Sequence, residues 1–493
     1  MPNSLVRGIT GERWEGACRK ACALALALVL AFGAAAGPLA PSAFADVRKG
    51  DVIVDSTVED RGIAAARCPS IDADFAMVVD SDGKVYFERD ADAATQIASI
   101  TKVMTAVVAL DSAPLDTQVT VSKLAAEVGE SSAGLREGDV MPLKTALYAL
   151  MLPSGNDAAI AIAESVGQLM LDEAAQSGSQ ITKADGSAVD PSADDAALQA
   201  FVAAMNAKAS ELGCEDTLFT NPHGLDDGRW EGDLHSTASD VAKIAAYAMQ
   251  NEDFRDSVSH DTLDIQVTRD GASTTITLES TDELLGVYEG ACGIKTGFTE
   301  RAGECFAGAA QRDGKELYAI VLHSTSESQR FTDTETLFDW VFDNLVDYQL
   351  AQSDETTSMN VNGQQQDVPV VAEVAHTGWT DRTIKATLAD PSQTVEVFAL
   401  EGNVSQSFEF YDVSGDVHAG DVIGKATFYQ HNNVIATADV VACEDVAGPN
   451  IFESIGIWWD RVVRGFTGAA GTAESVVLNQ TPLIYDKQAS VIS

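Results

Sequence analysis

The sequence predicts an α/β domain followed by a small all-β domain and a closing amphipathic helix. Three observations carry that reading. Short apolar runs at 75–79 and 85–88 flank Ser81-Asp82-Gly83 as a hairpin, and strands return at 290–297, 304–311 and 316–323. Between them the apolar spacing turns helical, over 98–110, 143–152, 158–166, 197–212 and 237–250. After Gln352 the texture changes to β-branched runs broken by turn residues. Strands at both ends of one region, with helices between, imply a sheet that joins its N- and C-terminal parts.

Each element has a local reason. Pro114 stops the first helix, and Pro153-Ser154-Gly155-Asn156 separates the second from the third. Residues 172–195, rich in Ala, Ser, Gly and Asp, read as a solvated insertion. A strand at 273–278 precedes the returning strands, and a helix over 331–345 closes the first domain, placed at 68–348. The β domain, 355–447, is expected to hold strands at 368–373, 383–388, 394–400, 421–429 and 434–442, with Asn432-Asn433 at a hairpin turn. In the helix expected over 450–467, Ile451, Phe452, Ile455, Trp458, Trp459, Val462, Val463 and Phe466 fall on one arc of about 140°, opposite Glu453, Asp460, Arg461 and Arg464. Residues 468–493 read as a weakly patterned tail.

Composition narrows the function. A chain of 493 residues exceeds one small binding module. Its 31 Lys+Arg against 75 Asp+Glu give a formal charge of −44, which repels polyanions and excludes nucleic-acid binding. Arg7, Arg13, Arg19 and Lys20 precede an apolar run from Ala21 to Ala36, and Ala43-Phe44-Ala45 supplies small residues for cleavage. Residues 1–45 therefore read as a secretory signal peptide, the apolar run falling short of the roughly 20 residues a membrane span needs. Cys18 and Cys22 leave with it, and the remaining Cys68, Cys214, Cys292, Cys305 and Cys443 are odd in number, so at least one stays free or pairs outside the chain. Their spacing suits no metal, and neither metal nor cofactor is expected.

The chemistry lies in three short motifs. Ser99-Ile100-Thr101-Lys102 opens the first helix, and its i to i+3 spacing puts hydroxyl and amine on one face. Such a pair suits nucleophilic catalysis once burial and a second cation lower the lysine pKa. Ser154-Gly155-Asn156 follows 55 residues later between helices, and Lys295-Thr296-Gly297 another 141 residues on, at the end of a strand read as 291–295. Singly these are a capping serine with a surface lysine, an ordinary turn and an edge-strand lysine. Together and in this order they are the Ser-x-x-Lys, Ser-x-Asn and Lys-Thr-Gly set of penicillin-binding proteins and class A β-lactamases.

The flanking words sharpen the match. Ala98 to Thr105, Met151 to Asp157, Gly293 to Thr299, Asn221-Pro222-His223-Gly224-Leu225 and Ser236-Thr237-Ala238 make the chain resemble the low-molecular-mass penicillin-binding proteins that are serine D-alanyl-D-alanine carboxypeptidases. The resemblance, over roughly 70–466, implies a penicillin-binding/β-lactamase-like catalytic domain and assigns roles. Ser99 would attack the carbonyl between two D-alanines with Lys102 as base. Ser154 would pass a proton to the leaving amine, Asn156 would orient the substrate amide, and Lys295 would keep Lys102 neutral. The substrate-binding set would be Thr296, Gly297, Phe298 and Arg330, with the amides of Ser99 and Phe298 as oxyanion hole and Thr296 and Arg330 holding the terminal carboxylate. Phe298 stands where some members have His. His223 and His235 would be structural.

The apolar arc of 450–467 predicts peripheral membrane contact. The resemblance implies a peptidoglycan pentapeptide as substrate and β-lactam antibiotics as inhibitors. It also places the enzyme at the extracytoplasmic face of a bacterial cell membrane, or secreted. Two alternatives compete. A β-lactamase is disfavoured by Gly155, where class A enzymes usually have Asp, and by the lack of a Glu-x-x-x-Asn segment between Ser154 and Lys295. An inert cell-wall binding protein would not need all the catalytic side chains.

Overall fold

The computed structural model describes residues 47–361 and 364–485. The expected signal peptide, with Cys18 and Cys22, lies outside the described residues, as does the end of the tail.

Four strands come first: β1 Val52–Ile53, β2 Ser56–Thr57, β3 Phe75–Asp80 and β4 Val85–Arg89. After helix α1, Thr101–Ser112, the short strands β5 Gln118–Thr120 and β6 Val140–Pro142 precede α2 Leu143–Met151, α3 Asn156–Ser177, α4 Ala196–Glu211 and α5 Ala238–Ala248. Five longer strands follow: β7 Thr262–Arg269, β8 Ala272–Glu279, β9 Ala291–Thr299, β10 Gly303–Arg312 and β11 Lys315–Ser324, then α6 Glu327–Asp343.

Seven strands form an antiparallel sheet in the order β2-β1-β4-β3-β11-β10-β9. The expected joining of the two ends is the β3–β11 pair, in which Val78 faces Ala319 and Asp80 faces Leu317. Alternate residues explain its burial on both sides. Met77, Val79, Ile320 and Leu322 enter the core built on α1, whereas Ala76, Val78, Ala319 and Val321 pack with Leu337, Phe338 and Trp340 of α6. A sheet covered on both faces reads as unbroken apolar runs rather than as alternation.

A second sheet, β5-β6-β7-β8, escaped the sequence reading except for part of β8. Its strands are mostly exposed on one face, and the clearest signal is the turn Asp270-Gly271, whose φ values of 51° and 77° suit a tight hairpin. Helix α3 also runs eleven residues past the expected Val166, to a left-handed Gly178 with φ 67°. The solvated insertion thus shrinks to the segment before α4, where Thr182 bridges Ala188.

Beyond α6, six strands form one antiparallel sheet in the order Ser405–Phe410, Val422–Gln430, Asn433–Ala442, Thr383–Leu388, Ala372–Ala375 and Val476–Val477. The hairpin turn sits one residue earlier than expected, at His431 and Asn432, both with positive φ. Phe398 of this region enters the core beside α6, its ring 5.0 Å from Tyr86 and 5.3 Å from Trp340. The tail is more ordered than its composition suggests. Asn479 joins the Leu350 carbonyl, the Gln352 amide and Gln406, and Tyr485 is buried in the same core as Ile53 and Phe398.

Helix α7, Ile451–Thr467, is capped by a reciprocal Asn450–Glu453 box. Its polar side turns inward: Arg461 donates to the Thr377 carbonyl, and Asp460 pairs with Arg464 at 2.8 Å. Its apolar side points away, leaving Phe452 85%, Trp458 61%, Trp459 62% and Phe466 88% exposed. Among the described residues, no helix is long and apolar enough to cross a membrane.

Candidate active site

Ser99 lies in a 3₁₀ turn, Ala98–Ile100, that runs straight into α1. Ala98 adopts φ 47°, a conformation L-residues rarely take, so the turn holds local strain next to the nucleophile candidate. Two neighbours press against it. A Cβ on Gly224, itself at φ 92°, would stand 1.9 Å from the Ala98 carbonyl oxygen, and one on Gly297 would stand 3.0 Å from the Ser99 nitrogen. Glycine at both positions is what lets the 221–225 loop and strand β9 meet the turn.

Lys102 donates to Ser99 Oγ over 2.7 Å and to the His223 carbonyl over 2.9 Å. It is fully buried, and both partners are neutral. Burial first, then the charge of Lys295, holds its amine well below the usual lysine range, with Asp157 pulling the other way. His223 supplies its backbone rather than its ring to this contact. Its ring nitrogen Nδ1 accepts from the Leu225 amide, and burial above all pushes the ring well below the usual histidine range. His235 binds the Asp233 carbonyl, and neither histidine is among the residues that line the cleft.

Ser154 lies in the α2–α3 connection at φ 61°, and Asn156 is the first residue of α3. The Asn156 amide group donates to the Gly129 carbonyl, while its Oδ1 is buried with no partner among the described residues. Between them Gly155 has no room for a side chain, since a Cβ would lie 2.5 Å from the Ala149 carbonyl oxygen. An aspartate there, as in class A β-lactamases, would not fit this backbone.

Lys295 sits in mid-strand rather than at a strand end, because β9 continues to Thr299 in register with β10, Gly297 facing Cys305. Burial and then Arg330 lower its amine to about 7, against Asp282. Thr296 shares a 2.6 Å hydroxyl contact with Thr281. Arg330, in the first turn of α6, is buried and donates to the Gly297 carbonyl and to Glu304.

Ser99, Ser154, Asn156, Thr296, Gly297, Phe298 and Arg330 all line one cleft of about 610 Å³, with the Phe298 ring at 53% exposure. The expected site residues therefore converge, with Lys102 and Lys295 buried behind the lining. Three groups have no role assigned by the sequence. Asp157 accepts from Ser132, Ala133, Leu135 and its neighbour Ala158, fixing the loop that carries cleft residues Glu130 and Ser131. Asp282 is buried toward Lys295 and raised to about 6 by desolvation. Glu304 pairs with Arg330 inside the cleft.

The five described cysteines are free, and burial pushes the thiols of Cys214, Cys292, Cys305 and Cys443 to about 12 and that of Cys68 to about 11.

A serine bound to a buried amine, beside a second lysine and at the edge of a cleft, defines a serine acyl-transfer enzyme of the Ser-Lys type. Residues 63–168 and 195–326 match the family described as D-alanyl-D-alanine carboxypeptidase, the gap falling on the end of α3 and the segment after it. A D-alanyl-D-alanine carboxypeptidase of Streptomyces sp. (strain K15) is 34% identical over 53% of this chain and 83% of its own. DacF of Bacillus subtilis is 26% identical over 76% of this chain and 86% of its own, and DacB2 of Mycobacterium tuberculosis is 33% identical over 54% and 81%. The crystal structure of the Streptomyces K15 DD-transpeptidase aligns over 56% of this chain and 98% of its own at 32% identity, with a TM-score of 0.49. The chain belongs to the D-alanyl-D-alanine carboxypeptidase family and is a serine-type hydrolase.

Proposed function

We propose that this enzyme removes the terminal D-alanine from peptidoglycan stem peptides through an acyl-enzyme on Ser99. The observation that carries the proposal is the 2.7 Å contact between Lys102 Nζ and Ser99 Oγ, made by an amine whose partners are all neutral. A neutral Lys102 takes the Ser99 proton as Oγ attacks the carbonyl between the two D-alanines. The Ser99 and Phe298 amides receive the oxyanion, a contribution of roughly 3–4 kcal/mol per donor. Ser154 relays a proton to the leaving D-alanine amine, with Lys295 behind it. Asn156 offers its unpaired Oδ1 to a substrate N–H, and Thr296 and Arg330 hold the terminal carboxylate. Water then cleaves the ester, and Lys102 serves again as base. Penicillins acylate the same serine.

The chain divides by task into the catalytic region 68–348, a β region 355–447 and a surface helix 450–467. We propose that the enzyme is exported and rests on the extracytoplasmic face of the cell membrane through α7, whose outward face carries two Trp and two Phe.

Fluorescent penicillin followed by peptide mapping tests the catalytic reading. Label should fall on Ser99 and vanish, together with D-alanine release, in Ser99→Ala. Lys102→Arg keeps the charge but cannot deprotonate near neutral pH, so acylation should drop at least roughly 10³-fold. Label mapped to another residue, or normal acylation by Lys102→Arg, would overturn the proposal.

A further inference from the structure

One member of an ion pair in the cleft, Glu304, has no part in the catalytic scheme. Arg330 Nη1 donates to Glu304 Oε2 over 2.5 Å, and the two side chains are only 6% and 15% exposed. The same Nη1 also reaches the Gly297 carbonyl at 3.4 Å, which commits that nitrogen to the protein. The other edge of the guanidinium differs. Nε is buried with no partner among the described residues, and the acid nearest Nη2, Glu327, is 3.6 Å away and 73% exposed.

An arginine grips a carboxylate best through two parallel donors. Among the described residues Arg89 grips Asp51 and Arg269 grips Asp139 in this way, each with Nε and Nη2. In Arg330 that gripping edge is the one left without a strong partner, and the side chain lines the cleft. A substrate carboxylate that reaches Arg330 from the cleft would share one cation with Glu304. Two carboxylates on one shielded cation repel each other, and little solvent screens the inner one.

We infer that Glu304 is a specificity-determining residue that weakens the hold of Arg330 on carboxylates by claiming part of its charge within the cleft. The inference rests on the reading above that Arg330 binds the terminal carboxylate. Its use follows from the reaction. Both products, the released D-alanine and the shortened peptide, end in a carboxylate, so a cation of undiminished strength would retain them. Glu304 makes the site grip loosely enough to let go.

The test compares a peptide ending in D-Ala-D-Ala with the same peptide ending in D-Ala-D-Ala-amide. Glu304→Gln keeps an acceptor for Nη1 and removes the charge. It should raise the ratio of kcat/KM for the acid over the amide roughly fivefold and make added D-alanine a stronger inhibitor by a similar factor. Glu304→Asp, which keeps the charge, should hold the ratio near that of the unsubstituted enzyme, and in an Arg330→Gln background the effect of Glu304→Gln should disappear. A ratio that falls or stays constant in Glu304→Gln, while the unsubstituted enzyme turns over both peptides, would overturn the inference and leave the catalytic reading intact. An unsubstituted enzyme that neither binds penicillin at Ser99 nor prefers the acid would overturn both.

Discussion

Lys295 depresses the Lys102 amine from a neighbouring strand, second only to burial itself. Both amines are buried, and after desolvation the largest influence keeping Lys102 deprotonated is the positive charge of Lys295. Arg330 in turn depresses Lys295, so the three basic side chains act in sequence from the cleft wall toward Ser99.

Replacing Lys295 with Met should therefore alter more than the rate. Removing that cation lets the Lys102 pKa rise, and a base works only when unprotonated. The acid limb of the penicillin-acylation profile should move to higher pH, alongside a slower maximum. A slower enzyme with an unmoved acid limb would show that Lys295 does not act on Lys102.

The same substitution should stabilise the fold. Lys295 titrates near 7 when folded against an ordinary 10.5, so between those values the unfolded chain binds more protons and stability rises with pH. Below about 7 the full cost of burying the charge is present. Thermal melting of Lys295→Met should exceed that of the unsubstituted protein by several degrees at pH 6, and the two should converge near pH 10.5. A constant difference across that range would refute the linkage.

Gly224→Ala should damage both folding and chemistry. Its Cβ would collide with the Ala98 carbonyl at a φ that alanine resists, at a cost of about 3 kcal/mol. Chemical denaturation should show the loss, and the displaced Ser99 turn should acylate slowly even in the folded fraction.

Asp157→Ala removes the acceptor for four hydrogen bonds, three of them to the 132–135 loop. A loss of about 2–3 kcal/mol is expected, with a raised KM because Glu130 and Ser131 lose their support. Measured KM and melting point should move together.

For the membrane contact, point substitution is the sharper instrument. Truncation before α7 would also delete Asn479 and Tyr485, which are built into the fold. Trp458→Glu with Trp459→Glu should reduce sedimentation with lipid vesicles roughly tenfold or more and leave turnover of a soluble peptide unchanged. Undiminished vesicle binding would refute the contact.

Much of this site was legible because its chemistry is written in contiguous words. Ser99 and Lys102 are one helical turn apart, and Lys295 to Phe298 lie along one strand, so local spacing already fixes their relation. Glu304 was not legible. Nothing in the sequence near it announces Arg330, 26 residues on, and only the β10–α6 packing brings them together. The β5–β8 sheet was missed for another reason: β5 and β6 are three residues each, too short for a period to register, although Asp270-Gly271 marked the turn between β7 and β8. The tail misled through composition, since Asn479 and Tyr485 act as single anchors without an apolar repeat.

The β3–β11 pairing places Asp80 beside Leu317, 237 residues apart along the chain. Contacts that distant form slowly, because a long loop must close before they repay its entropy. A chain emerging N-terminus first presents β3 with a bare edge until β11 arrives, and the strand bearing Lys295 joins only through β10 and β11. The Ser99 motif is thus made early, but the strand that sets its basicity docks late. Topology acts as a timer: the nucleophile lacks its full electrostatic environment until nearly all of the catalytic region has been delivered and the sheet has closed.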